Sequence, residues 1–189
     1  MKKLQHLKKP LLAILLLSGI LFNAGCGKPD YHQLTEEDMS WLVYQNNEIN
    51  TFTSGGGLSE KFLVTLRTKA YNESDDKYNE FTAANFEQLN DTSAIDDVDS
   101  RGSLFIYKQD DDALLVTLSW PHFPLKDVPI SGLPQTVTTI DGVLYYDMIE
   151  VDATGLTDAR FNISKIWYSK SIGVVQYEED NGKVWTQDL

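Results

Sequence analysis

The chain has 189 residues, with 16 basic and 28 acidic side chains, so its formal charge at pH 7 is −12. An acidic surface repels the phosphate backbone, which argues against nucleic acid as a partner. The only cysteine is Cys26, so the chain has no second thiol for an internal disulfide or a thiolate metal site.

A basic start and a short apolar stretch open the chain. Four lysines lie within the first nine residues, and residues 11–22 form an almost unbroken apolar run of 12. A helix that spans the bilayer needs roughly 20 apolar residues. The shorter run after a basic end is typical of a secretory signal. We therefore expect residues 1–25 to be a signal peptide that is removed on export.

The end of this segment carries a known motif. Ala24, Gly25 and Cys26 resemble the small-small-Cys motif of bacterial lipoprotein signals, although Asn23 stands where that family prefers an aliphatic residue. The resemblance implies cleavage before Cys26 and acyl chains on this residue. Two lipid signals already anchor a protein stably. Gly27 replaces the aspartate that retains such proteins at the inner membrane, which implies an outer-membrane location in the cell envelope.

The mature part is more acidic than the precursor. The first 26 residues hold four of the basic side chains and none of the acidic ones, so the 163 residues that follow carry a formal charge of −16. Anionic headgroups repel such a body, so its membrane affinity must come from the lipid. The length fits one domain. We predict a lipidated cysteine and tether over 26–34 and a single β-rich domain over 35–189.

Helical spacing is confined to the start of this domain. Thr35 is a suitable N-cap, and acids at the next three positions suit the positive end of a helix. Met39, Leu42 and Val43 recur at helical spacing. These residues predict one short helix over 35–45.

Apolar residues then alternate with polar ones, and turn signals are frequent. Strands are predicted at 48–54, 61–71, 102–108, 113–120, 136–140, 143–151, 165–169, 174–178 and 183–187. Segment 78–89 permits a helix or a strand, 90–101 is an acidic loop, and four prolines over 121–134 predict a loop or an edge crossing. Asp141 and Gly142 favour a type I′ turn. The pattern predicts a mainly β fold, with antiparallel sheets as a sandwich or a partly closed barrel and one or two short helices.

The last 45 residues resemble the ends of small uncharacterised lipoproteins of the Bacteroidetes type. The resemblance lies in an aromatic strand at 146–149, the sequence 167–170, a glycine turn leading into an aliphatic strand at 172–177, and Trp185 in the final strand. It implies no activity. It does imply that Gly173 has a backbone conformation that other residues avoid.

Two histidines, His32 and His122, remain after processing. His32 lies in the predicted tether, where nothing is expected to hold it, and His122 is expected to be a loop residue. A metal site would need a second ligand at a suitable spacing, which neither has nearby. No G-x-S-x-G motif singles out a serine for a triad with His122. We therefore predict no catalytic residue.

The acidic and glycine-rich runs also have simple interpretations. The acids at 110–112 and 96–99 lack the spaced pattern and the distal glutamate of a calcium loop, so solvated loops are expected. The glycines at 55–57 lack the Gly-Lys-Ser/Thr of a phosphate loop and predict a flexible turn. We expect no metal and no cofactor.

Aromatic side chains are the most informative group. Four Trp, nine Tyr and eight Phe can fill a β core or form a surface on which glycans stack. The pairs Tyr145-Tyr146 and Trp167-Tyr168 place one ring on each face of a strand, so one member of each pair is expected to be exposed.

These observations favour a non-enzymatic binding or accessory module, held at an envelope membrane by Cys26, whose partner is an envelope protein or a glycan. One alternative is a carrier or chaperone of apolar ligands, in which an open half-barrel encloses a cavity of several hundred Å³. Another is a hydrolase with two converging carboxylates, one of them neutralised by burial.

Overall fold

Residues 30–74, 77–89, 101–156 and 161–189 are described by a computed structural model. The predicted signal peptide, Cys26 and nearly all of the predicted acidic loop at 90–101 lie outside these residues. Residues Tyr31–Leu189 form one compact unit.

Twelve strands and one helical turn make up the described chain. The helix is α1 (Glu36–Met39), and the strands are β1 (Asp30–His32), β2 (Ile49–Ser54), β3 (Ser59–Ser74), β4 (Lys77–Gln88), β5 (Arg101–Lys108), β6 (Leu114–Ser119), β7 (Val128–Pro129), β8 (Thr136–Ile140), β9 (Val143–Asp152), β10 (Ile163–Ser169), β11 (Gly173–Glu179) and β12 (Val184–Gln187).

The strands form a single antiparallel sheet in the order β7-β6-β5-β4-β3-β2-β12-β11-β10-β9-β8, with β1 paired to β4. The sheet curls into a half-barrel, which confirms the predicted fold class. Of the two predicted arrangements, the partly closed barrel is the one found. Strand pairing joins the two meanders, β2–β7 and β8–β12, where β12 pairs with β2 at Trp185↔Ser54, Thr186↔Thr53 and Gln187↔Phe52.

The concave face of the half-barrel holds the main hydrophobic core. The predicted apolar face of β3 is confirmed, because Phe62 and Val64 are buried and Leu66 packs against the same cluster. At its centre Trp120 contacts three phenylalanine rings and Tyr177, with centroid distances of 4.9–5.8 Å. Burial of such rings is the largest apolar contribution that a core of this kind receives.

The helix is shorter than predicted. Thr35 is its N-cap and forms a capping box with Asp38, but α1 ends after one turn, so the prediction of a helix over 35–45 is wrong. The chain turns because its next residues bond to the sheet. The Trp41 carbonyl accepts a hydrogen bond from Tyr168 Oη at 2.8 Å, and the Tyr44 hydroxyl accepts one from the Val174 N–H at 2.8 Å. These tertiary contacts replace further helical turns.

The structure corrects the prediction for one other segment and decides the open prediction for a second. Residues 30–34, which the sequence assigns to the tether, include β1, and His32 within it is buried. Its Nδ1 lies 2.8 Å from Asp112 Oδ1, so the prediction that nothing holds His32 is wrong. The ambiguous segment 78–89 is strand, because β4 pairs with β3 on one side and β5 on the other.

Two turns follow their predicted chemistry. Asp141 and Gly142 join β8 to β9 with φ of 49° and 83°, the positive values of a type I′ turn. Gly173 has φ of 102°, as its position after the Ser-Lys turn predicts. A Cβ at Gly173 would also clash with the Tyr44 side chain. Glycine is therefore required there for two separate reasons.

Candidate functional site

The outer face of the half-barrel carries a cleft of about 390 Å³ lined by Arg67, Phe81, Phe105 and Tyr107, which we call the aromatic slot. It lies across β3, β4 and β5. Strand register explains its shape. Arg67 pairs with Ala83 and Ala83 pairs with Phe105, so a methyl group lies between two long side chains. Phe81 and Tyr107 form the next cross-strand pair.

The rings of the slot contact one another in sequence. Phe81 and Phe105 are tilted, with centroids 5.2 Å apart and planes at 34°, whereas Phe105 and Tyr107 are stacked, 6.1 Å apart at 23°. The Arg67 guanidinium carbon lies 4.8 Å from the Phe81 ring centroid, within the range of a cation–π contact. The slot thus groups three aromatic rings with one cation, which lies over the Phe81 ring.

At the end of the slot away from Arg67, hydrogen bonds hold the Tyr107 side chain in place. The Asn79 side-chain amide donates to Tyr107 Oη at 2.9 Å and also to Asp110. Hydrogen bonds from Asn79 and then Lys77 hold the pKa of the Asp110 carboxyl below its ordinary value. Within the described chain, no carboxylate pairs with Arg67. Its five N–H donors can therefore serve a ligand.

The acids at 110–112 bond to the protein. Asp110 forms an ion pair with Lys77 at 3.1 Å, Asp112 lies against His32, and Asp111 accepts from the Ala113 N–H. Over the described ranges, no group of three or more potential ligands is arranged to hold a metal ion. The acids at 96–99 lie outside those ranges.

Both predicted ring pairs divide between the two faces of their strands, as expected. Tyr145 is 5% exposed and Tyr146 is 72% exposed, whereas Tyr168 is buried and Trp167 is half-buried. Trp41, Trp120 and Trp185 belong to the core, which confirms packing as the main role of the tryptophans.

A half-buried carboxyl, that of Glu60, lies apart from the slot. Tyr177 Oη donates to Glu60 Oε2 at 2.5 Å on the concave side. Burial, with the nearby charge of Glu179, raises the pKa of Glu60 against the opposite effect of this hydrogen bond. His122, with φ of 58°, is close enough for its charge to oppose the shift. These groups lie outside the lining of the aromatic slot.

The raised pKa of Glu60 predicts a pH dependence of stability. The folded state holds this proton more tightly than the unfolded state, whose carboxyl titrates near about 4.3. The contribution of Glu60 to the free energy of unfolding is therefore complete at low pH, and it is lost as pH rises through the folded-state pKa. Urea unfolding should show wild type losing stability relative to Glu60→Gln as pH rises from 4 to 7. Glu87→Gln, which changes an exposed acid, should leave the wild-type profile intact, and a flat difference for Glu60→Gln would contradict the prediction.

Sequence reasoning did not single out the slot. Phe81 lay in the ambiguous segment, and Arg67 had no distinguishing neighbour. A usable signal was present at 104–107, where Leu-Phe-Ile-Tyr is apolar on both faces of the strand. Leu104 and Ile106 face the core, so Phe105 and Tyr107 had to cover the outer face.

Comparison of the chain with protein-family models, with curated proteins and with solved structures found no significant match. Across the described residues, no helix has the length and apolar character of a membrane span.

Two further clefts differ in character from the slot. One, of about 400 Å³, lies over β2, β12 and β11 and is lined mostly by polar side chains such as Thr53, Gln176 and Thr186. The other, of about 260 Å³, lies beside Trp120 and includes Arg101 and Asp127. The second cleft also contains Trp120, Phe123 and Phe161, but Trp120 and Phe123 are only 3% and 2% exposed. The aromatic slot, in which Phe105 and Tyr107 are half-buried, is therefore the candidate binding site.

Proposed function

We propose that the protein is a lipid-anchored lipoprotein of the cell envelope whose body is a non-enzymatic binding module, and that the aromatic slot binds a glycan. The basic and apolar leader, the small-small-Cys motif and the single cysteine support the anchor. The observation that carries the binding role is the slot itself, with three aromatic rings in contact, two of them stacked, and a guanidinium over the Phe81 ring.

The chemistry of the slot matches a sugar ring. A pyranose has an apolar face of C–H groups and a rim of hydroxyls. The face can pack on Phe105 and Tyr107, which are both half-buried, since aromatic rings offer large flat apolar area. The rim hydroxyls, or an acid group on the sugar, can accept hydrogen bonds from Arg67. The volume of about 390 Å³ accommodates one or two sugar units.

The composition of the slot supports binding in preference to catalysis. Its four lining residues include no carboxylate, histidine or cysteine. Those are the groups that act most often as general acids, general bases or nucleophiles. Among the described residues, the acid whose pKa is raised is the half-buried Glu60, and it lies on the other side of the sheet.

The filled concave face favours binding at the aromatic slot over the alternative of a carrier that holds apolar ligands inside the half-barrel. A carrier of apolar ligands needs free volume inside the half-barrel. In the described chain that face is occupied by side chains with no exposed area, among them Val64, Ala84, Leu104, Ile106 and Ile166. A ligand would have to displace this core, whereas the aromatic slot is already open.

The proposal is tested with the mature acylated protein in detergent, applied to an array of neutral and anionic oligosaccharides. Intact mass of the same sample should show a species that starts at Cys26 and is heavier by its acyl chains. We expect binding of at least one glycan class. Phe105→Leu, which keeps apolar volume and removes the ring, and Arg67→Gln should each weaken this binding about tenfold.

Tyr146→Leu is the matched control, because it removes an exposed ring far along the sheet on β9. It should bind as wild type does. Absence of any glycan binding, or equal loss in all three variants, would reject the slot as a glycan site. A mass without acyl chains would reject the anchor while leaving the slot result to stand by itself.

A further inference from the structure

Three tyrosines form a second aromatic surface, separate from the slot. Tyr31 on β1 stacks on Tyr78 of β4, with centroids 4.9 Å apart and planes at 20°, and meets Tyr71 of β3 edge to face at 6.3 Å. Tyr31 and Tyr71 are 53% and 48% exposed. We call these three residues the tyrosine patch. Exposed rings grouped in this way mark an interaction surface more often than scattered ones do.

The position of the patch in the chain indicates what it meets. Tyr31 follows Cys26 by five residues. Five residues of extended chain span at most about 18 Å. The polar region of a bilayer leaflet is about 5–8 Å thick. If Cys26 carries acyl chains, Tyr31 stays within about 18 Å of the anchor and can reach the headgroups.

Tyrosine is suited to that environment. Its ring is apolar and its hydroxyl is polar, and such side chains are enriched where a membrane meets water. Contact with the interfacial region of the membrane would account for exposed tyrosine rings so close to the anchor. The patch therefore fits a boundary that is apolar on one side and wet on the other.

We propose that the tyrosine patch is a membrane-contact surface, which seats the half-barrel on the interfacial region of the bilayer. The inference rests on the lipid anchor of the proposed function. It adds a defined orientation, in which the β3–β4 hairpin end points toward the membrane. The opposite end of β3, at Ser59, lies 12 residues from Tyr71, or about 40 Å of strand.

Charges around the patch determine the class of lipid. Two basic groups beside the patch are matched by acids, since Lys77 is paired with Asp110 and His32 with Asp112. The mature chain carries an overall charge of −16. Anionic headgroups would repel this body. The patch therefore suits a zwitterionic phospholipid surface.

Fluorescent labels at two positions test this orientation in the full acylated protein. With Cys26 acylated, an introduced cysteine is the only free thiol. Asp111→Cys places a label on the exposed hairpin tip whose neighbours Asp110 and Asp112 bond to Lys77 and His32 beside the patch. Gly55→Cys places one in the β2–β3 turn, where an added Cβ meets no atom within 4 Å.

Phosphatidylcholine vesicles that carry a nitroxide on the headgroup supply the quencher. We expect strong quenching of the label at 111 and little quenching of the label at 55. The double change Tyr31→Ser and Tyr71→Ser should reduce quenching at 111 to the level seen at 55, because the body then moves freely on its tether. Tyr31→Phe with Tyr71→Phe should retain most of it.

Equal quenching at the two positions, or quenching at 111 that survives the serine changes, would overturn the docking surface. Circular dichroism of the serine variant should match wild type, and vesicles that contain phosphatidylglycerol should give weaker quenching.

Failure of the anchor has a different signature. In that case intact mass shows no acyl chains, Cys26→Ala behaves as the unaltered protein does, and neither label associates with vesicles.

Discussion

Replacing Gly173 with alanine should destabilise the fold by about 2–6 kcal/mol, the sum of two costs. An alanine at φ of 102° carries backbone strain of about 1–3 kcal/mol. The new methyl group would also displace the Tyr44 side chain and break its hydrogen bond with the buried Val174 N–H. An unsatisfied buried donor costs about 1–3 kcal/mol. Urea unfolding of the purified protein measures the difference in unfolding free energy.

Gly182→Ala is the matched control for this prediction. Gly182 also has positive φ, 81°, but an added Cβ there meets no atom within 4 Å. Only the backbone cost remains, so a loss of about 1 kcal/mol is expected. If both variants lose the same amount, the contact between Tyr44 and the β10–β11 turn contributes nothing to stability.

Truncating Trp120 to alanine should cost about 4 kcal/mol, the usual range for a large aromatic side chain in a core. Trp120 is 3% exposed, and its ring contacts Phe52, Phe62 and Phe86 with centroid distances of 5.6, 4.9 and 5.1 Å. The cavity would open where four strands and the loop after β6 converge. Thermal unfolding should show a decrease in Tm of about 10 °C, given about 2–4 °C per kcal/mol for a domain of this size.

Trp167→Ala provides the comparison, since Trp167 is half-buried on the outer face and bonds through Nε1 to Glu150 at 3.1 Å. A smaller loss of about 1–2 kcal/mol is expected, because the ring is half-buried and packs against a small buried cluster that includes Met148 and Val175. Similar losses for the two tryptophans would mean that the concave cluster is not the main core.

Local chemistry explains which elements were predictable from the sequence. The type I′ turn at Asp141 and Gly142 and the N-cap at Thr35 depend on neighbouring residues only, and both are found as expected. The length of α1 depends on Tyr168 and Val174, more than 120 residues away, so helical spacing alone overestimated it. The same holds for His32, which is held by Asp112 on another hairpin.

The candidate site was less accessible to sequence reasoning than the fold. A glycan-binding surface was anticipated as a class, and the exposed Tyr146 and half-buried Trp167 were expected at their faces. The slot depends on the register that sets Arg67, Ala83 and Phe105 in one row across three strands. Alternation assigns a side chain to a face, but it does not state which strands are neighbours.

The single junction between β2 and β12 has a consequence for the order of folding. Every other neighbouring pair along the main sheet is consecutive in sequence, so it can form from local hairpins at low loop-closure cost. The β2–β12 pair joins residues about 130 positions apart and consists of three matched positions. In a chain that emerges from its N-terminus, the first meander is complete long before its partner strand appears. Because β12 is the last strand of the described sheet, we expect the pairing that joins the two meanders edge to edge to form after the hairpins within each of them.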